Sequence, residues 1–222
     1  DQSHTDGALT MRNIVRSLAL LLILSSYAWA TQLASDDFNR SDDTDLGAQW
    51  TQYTGAGHEP CQLLDNAVRP TTLNSCSEAY TTVLPADQWA SGLISTLTGD
   101  GNVGVQVRGS TDFGDVNFYG CFVETGLSVL FKVTSNSYFE LASSAATSWS
   151  AGDRLRLDAN GTALGCKKDG VSAVSGRDSD HTGTGYPGIN LDSGSDLANS
   201  VLDDFTAGDF ASTARRRVII VE

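Results

Sequence analysis

The chain has 222 residues and carries 14 Lys and Arg against 27 Asp and Glu, a net charge of −13. Charge of that sign repels nucleic acid and anionic membrane surfaces, so neither is expected as a partner. The length suits one domain with a single core.

Residues 1–10 precede Met11 and are set apart from the fold. Residues 11–30, MRNIVRSLALLLILSSYAWA, then run from two arginines through an apolar stretch to Ala28-Trp29-Ala30. That is the order of a secretory signal peptide with a small-residue cleavage site. The apolar stretch is too short to cross a bilayer. Residues 1–30 are therefore read as an N-terminal extension and signal peptide, and the protein as secreted, with no membrane span.

Residues 35–38 read as an edge strand, followed by a polar loop, NRSDDTDLG, full of turn formers. Trp50 and Tyr53 lie in the next extended piece. Residues 61–69 and 79–84 predict two short strands around a turn bearing Cys76. Residues 88–98 predict a longer strand, and Val103, Val105 and Val107 alternate with Gly104, Gln106 and Arg108 in the next one. Residues 117–124 and 127–134 predict a hairpin across Thr125-Gly126, and residues 137–142 follow it. Leu155 and Leu157 then alternate with Arg154, Arg156 and Asp158. Asn160-Gly161 and Asp169-Gly170 predict the tight turns of a meander over 151–192, because both dipeptides tolerate positive φ. Residues 200–205 and 218–221 are expected to close the sheet. Turn signals at such regular spacing predict an all-β sandwich or barrel.

All four cysteines, Cys61, Cys76, Cys121 and Cys166, follow the signal. An even count in an exported chain points to two disulfides. Three pairings are open. The favoured one joins Cys61 to Cys76 across a short loop, and Cys121 to Cys166 across two strands of one meander. The spacings do not suit zinc.

The opening SDDFNRSDDTDLGAQWT, followed in order by QWASGLISTLT, VGVQVRGS, NFYGCFVE, LSVLFKV, GDRLRLDANGTALGCKKDGV, TGTGYPGIN and SVLDDFTAGD, resembles the concanavalin A-like lectin/glucanase jelly rolls, including laminin-G-like modules. The resemblance implies a two-sheet antiparallel jelly-roll sandwich over residues 31–210, with any ligand in a concave groove or at the loop rim. Residues 211–222 are left as a basic and apolar C-terminal tail.

Glycan-cleaving relatives of this kind carry a cluster of carboxylates at alternate positions of one strand, so that acid and nucleophile share a groove. The five glutamates here, Glu59, Glu78, Glu124, Glu140 and Glu222, have no such partner. A lyase would use a base with Arg and Gln to neutralise a uronate. Gln106 and Arg108 are expected on one strand face, with Tyr119 on the next strand and His181 on a loop, although the Gln-x-His motif of alginate-lyase jelly rolls is missing. Trp50, Trp89, Trp149, Tyr53, Tyr119 and Tyr138 are candidate sugar-stacking platforms. Trp149, in the loop TSWSAGD, is expected to be exposed. The candidate ligand-binding residues are thus Gln106, Arg108, Tyr119 and Trp149.

Asp36 and Asp37 near the start, with Asp203 and Asp204 near the end, are candidate ligands for a structural Ca2+ between neighbouring first and last strands. The tail RRRVIIVE could join a second subunit by strand addition. The sequence therefore predicts a secreted, non-catalytic module that binds a glycan or cell-surface polysaccharide, or serves adhesion or extracellular structure. The alternatives are a polysaccharide lyase or glycoside hydrolase acting in the groove, and a subunit of an extracellular fibre or virion.

Overall fold

The computed structural model describes residues 30–55 and 57–210. The expected signal peptide and the RRRVIIVE tail, with its 218–221 strand, lie outside the described residues. Fifteen strands make up the fold, with no helix among the described residues. The first five are short: β1 (Ala30–Asp36), β2 (Trp50–Gln52), β3 (Cys61–Leu64), β4 (Ala67–Pro70) and β5 (Ser75–Tyr80). Longer hairpin strands follow: β6 (Gln88–Leu97), β7 (Asn102–Gly109), β8 (Phe118–Glu124), β9 (Leu127–Thr134) and β10 (Ser137–Ser144). The meander is β11 (Arg154–Asn160), β12 (Ala163–Lys168) and β13 (Val171–Arg177), and the chain ends in β14 (Tyr186–Asp192) and β15 (Ser200–Phe210).

These strands form two antiparallel sheets. One has eight strands in the order β13-β12-β11-β6-β15-β4-β3, with β1 also paired to β15. The other has seven in the order β10-β9-β8-β7-β14-β5-β2. The first and last strands are neighbours, as expected. Two predicted turns hold their place. Glu124 pairs with Leu127 across Thr125-Gly126, and Lys168 pairs with Val171 across Asp169-Gly170, both of which have positive φ (49° and 83°). The turn before β12 sits one residue later than predicted. Asn160 pairs with Ala163, so Gly161-Thr162 is the loop and only Gly161 takes positive φ.

The core lies between the sheets. Val103, Val105 and Val107 from β7 face Leu155 and Leu157 from β11, all fully buried. Each such side chain contributes about 1.5–3 kcal/mol through area removed from water. At one end Trp50, Tyr80 and Phe205 pack as an aromatic cluster, with ring centroids 5.0–5.9 Å apart.

Both favoured disulfides are present, Cys61–Cys76 and Cys121–Cys166. The second corrects an expectation. It does not tie strands of one meander: Cys121 is on β8 of the seven-stranded sheet and Cys166 on β12 of the eight-stranded one. Cys61 on β3 and Cys76 on β5 likewise belong to opposite sheets. Each bond is a covalent staple through the core.

Candidate functional site

Sequence reasoning placed Gln106 and Arg108 side by side on an open strand face. Gln106 does face the outside of the seven-stranded sheet, but its exposure is 0%. Its amide donates to the Glu78 carbonyl (3.1 Å) and accepts from Ser77 Oγ (3.2 Å), so its polar atoms are used up within the protein. Arg108 leaves that face. The β7–β14 register shifts between Tyr186 and Gly188, and Arg108 takes φ +55°. An irregularity of this kind re-aims a side chain. The guanidinium lies 5.9 Å from the ring centre of Tyr119, and it donates to the carbonyls of Ala86 (2.6 Å) and His181 (3.0 Å).

Tyr119 is fully buried. Its hydroxyl donates to Asp178 (2.6 Å) and accepts from the His181 N–H (2.9 Å). Burial, then the Asp178 hydrogen bond, pushes its pKa up to about 12. A phenol serving as a lyase base needs the opposite shift. Lys132 binds Asp178 (2.8 Å) and Asp180 (2.5 Å) beside it. The His181 ring nitrogen Nε2 lies 2.9 Å from the Val133 carbonyl, an acceptor, so Nε2 carries the proton. The structure thus does bring Arg108, Tyr119 and His181 together, but as a knot that fastens the Gly-rich loop to the sheets.

Trp149 was expected to be exposed and is 3% exposed. Its indole N–H donates to Ser128 Oγ (2.8 Å) and its ring packs in the inter-sheet core, so it offers no platform for a sugar. Asp36 holds Arg40 through both oxygens (2.6 and 3.0 Å) and also accepts from Trp50 Nε1 (2.8 Å). Burial, then the charges of Asp204 and Asp37, raises the pKa of Asp203. Asp36, Asp37 and Asp204 line one open hollow together with Arg154. They do not converge: among the described residues no three His, Cys, Asp or Glu side chains are placed to hold a metal ion. With Asp36 committed to Arg40, the donor set does not fit calcium.

The arrangement that sequence reasoning missed lies on the outer face of the seven-stranded sheet. Alternation puts Phe118, Gly120 and Phe122 of β8 on that face, with Val129, Phe131 and Val133 of β9 beside them. Gly120 is required there. A Cβ at that position would sit 2.2 Å from the Phe131 ring, so only glycine lets the ring lie across the strand. Phe131 stacks on Tyr138 (centroids 5.2 Å apart, planes at 29°) and packs against Phe122 (5.5 Å). Tyr138, one of the six aromatic platforms expected from the sequence, is 52% exposed.

Across from this aromatic wall stand Asn102 of β7 and Asn190 and Asp192 of β14, and His58 and Ser75 also line the space. Together they enclose a cleft of about 260 Å³. Farther along the same face, Tyr53, Phe113 and Tyr186 pack on one another and close the sheet off from solvent. His58 Nδ1 lies 3.2 Å from Ser75 Oγ, and burial pushes the imidazole pKa down despite the pull of Asp192. Asp192 accepts the Gly194 N–H (2.9 Å) and is the one carboxylate among the described lining residues.

Such a cleft can grip a sugar: the C–H face of the ring packs on an aromatic side chain while amides and a carboxylate take the hydroxyls. The two-carboxylate mechanism of glycoside hydrolysis needs a second acid that these walls do not supply.

No protein-family model and no curated protein matches the chain in sequence. Solved structures do match in shape. The carbohydrate-binding module CBM66 from Bacillus subtilis superposes with TM-score 0.56 at 14% identity, over 74% of this chain and 98% of that one. A Bacillus subtilis protein of unknown function with a galectin-like fold gives 0.57 at 12%, over 82% and 98%. BuGH16Bwt gives 0.57 at 10%, over 81% and 92%. At such identity the likeness carries the fold and leaves function to the site.

Proposed function

We propose that this two-sheet antiparallel sandwich, which resembles the concanavalin A-like jelly rolls, is an extracellular, non-catalytic module that binds a glycan in the cleft on the outer face of its seven-stranded sheet. One observation carries this reading. The half-exposed ring of Tyr138, stacked on Phe131, which in turn packs on Phe122, lines a cleft of about 260 Å³ together with Asn102, Asn190 and Asp192. An apolar wall opposite a polar one matches the two sides of a sugar ring. The two buried disulfides suit an oxidising, extracellular setting. The lining holds one acid, which favours binding over hydrolysis.

A glycan array probed with the protein tests the reading, followed by calorimetry with the tightest hit. Tyr138→Ala is expected to weaken that affinity about tenfold or more, because it removes a stacked ring. The melting temperature should barely change, since Tyr138 is on an edge strand and half exposed. An array with no hits, or a Tyr138→Ala variant that binds as well as the wild type, contradicts the proposal.

A further inference from the structure

The charge of the cleft says which glycans it takes, on the premise that it is a glycan site. None of its described lining residues is Lys or Arg, and its fixed charge is the Asp192 carboxylate. The cations closest along the sequence are engaged elsewhere: Arg69, six residues before Ser75, donates to the Leu64 carbonyl (3.2 Å) and lies 3.6 Å from Asp65. Lys132 follows Phe131 on β9, turns to the opposite face, and is held by Asp178 and Asp180. Arg108 is tied to the carbonyls of Ala86 and His181. His58 supplies no counter-charge at neutral pH, because burial disfavours its protonation. Tyr138, the remaining ionisable lining group, is neutral there too. An acidic sugar entering the cleft would shed water, meet Asp192 at close range and gain no cation, in a chain that already carries −13. A neutral sugar instead offers hydroxyl protons that the carboxylate accepts and oxygens that the Asn102 and Asn190 amides donate to.

We infer that the cleft selects uncharged glycans, and that Asp192 is the residue that excludes acidic ones. Asp192→Asn tests this cleanly. The amide oxygen of Asn can still accept the Gly194 N–H that the carboxylate now accepts, so the β14 turn is kept while the charge is lost.

Matched probes serve: cello- and galacto-oligosaccharides beside oligoglucuronate and oligogalacturonate, measured by calorimetry at neutral pH and low salt. The wild type should bind at least one neutral probe and its acidic counterpart about tenfold more weakly or worse. In Asp192→Asn that ratio should shrink several-fold. Acidic probes that bind as well as neutral ones overturn the inference and leave the glycan-binding reading standing. An unchanged ratio in Asp192→Asn overturns the role of Asp192. If neither kind of probe binds, nor any array glycan, the binding reading fails and takes the inference with it.

Discussion

Glu78→Gln is expected to make the protein more stable than the wild type at pH 8 and to flatten its stability between about pH 4 and pH 8. Glu78 is on β5, 4% exposed, in the space between the sheets. One of its oxygens accepts the Cys61 N–H at 2.9 Å, a contact from one sheet to the other beside the Cys61–Cys76 bond. Burial dominates and raises its pKa from 4.5 to about 7, with Asp45 adding to the rise and the Cys61 N–H opposing it. A carboxyl with a raised folded pKa takes up a proton on folding. The stability it contributes is complete below the unfolded pKa and is lost as pH climbs through the folded one. The window is therefore pH 4.5 to about 7, and the loss is about 3 kcal/mol. Gln keeps the acceptor for Cys61 and never ionises. His58 titrates in the same region with the opposite sign, because its folded pKa is lowered. It is present in both proteins, so the difference between their curves isolates Glu78. Chemical denaturation at pH 5 and pH 8 reads this directly. Parallel curves for the two proteins would show that the Glu78 carboxyl does not titrate as the geometry requires.

Removing the Cys121–Cys166 staple should cost more stability than removing the Cys61–Cys76 one. The bond closes a loop with a sequence separation of 45. Loop-closure entropy at that length corresponds to about 4 kcal/mol, against about 3 kcal/mol for the separation of 15 closed by Cys61–Cys76. A domain of this size holds about 5–15 kcal/mol in total. Cys121→Ser with Cys166→Ser is thus expected to lower the melting temperature by roughly 10 °C. Full reduction of both bonds should leave the chain close to its unfolding midpoint at ambient temperature. The position in the fold sharpens the expectation. Both bonds cross the core from sheet to sheet, so their loss removes the covalent ties between the two layers. A loss under about 1 kcal/mol for the double variant would mean that this bond adds little to what side-chain packing and the remaining Cys61–Cys76 bond already supply.

Much of the scaffold was legible in the sequence because it is written locally. Leu155 and Leu157 alternate with polar neighbours, Asp169-Gly170 takes the positive φ values its chemistry allows, and the even cysteine count pairs as favoured. The sheet that each strand joins is not written locally. Cys121 and Cys166 were therefore paired correctly and assigned to one meander wrongly. The site was less legible still, for two reasons. First, β8 and β9 are apolar on both faces. FYGCFVE sends Tyr119 and Cys121 to the core and Phe118 and Phe122 to the cleft, so alternation showed no outward side. The small residue at Gly120, between two phenylalanines two positions away, was the available sign of a ring lying across the strand. Second, Arg108 follows a register irregularity that no pattern in VGVQVRGS announces. It turned an expected groove residue into a loop fastener. Trp149 was misplaced because a loop position was equated with exposure. Its indole N–H instead finds Ser128 and the ring is carried inward.

The proposed glycan seat is the outer face of the seven-stranded sheet. Amide spectra of 15N-labelled protein, titrated with the tightest array hit, test it most directly. Shifts are expected to cluster at Asn102, Phe122, Tyr138, Asn190 and Asp192, with Ser91, Arg154, Arg156 and Thr206, which line the opposite sheet's outer hollow, left unmoved. Shifts centred on Arg154, Arg156 and Thr206 instead would contradict it and move the binding face to the eight-stranded sheet.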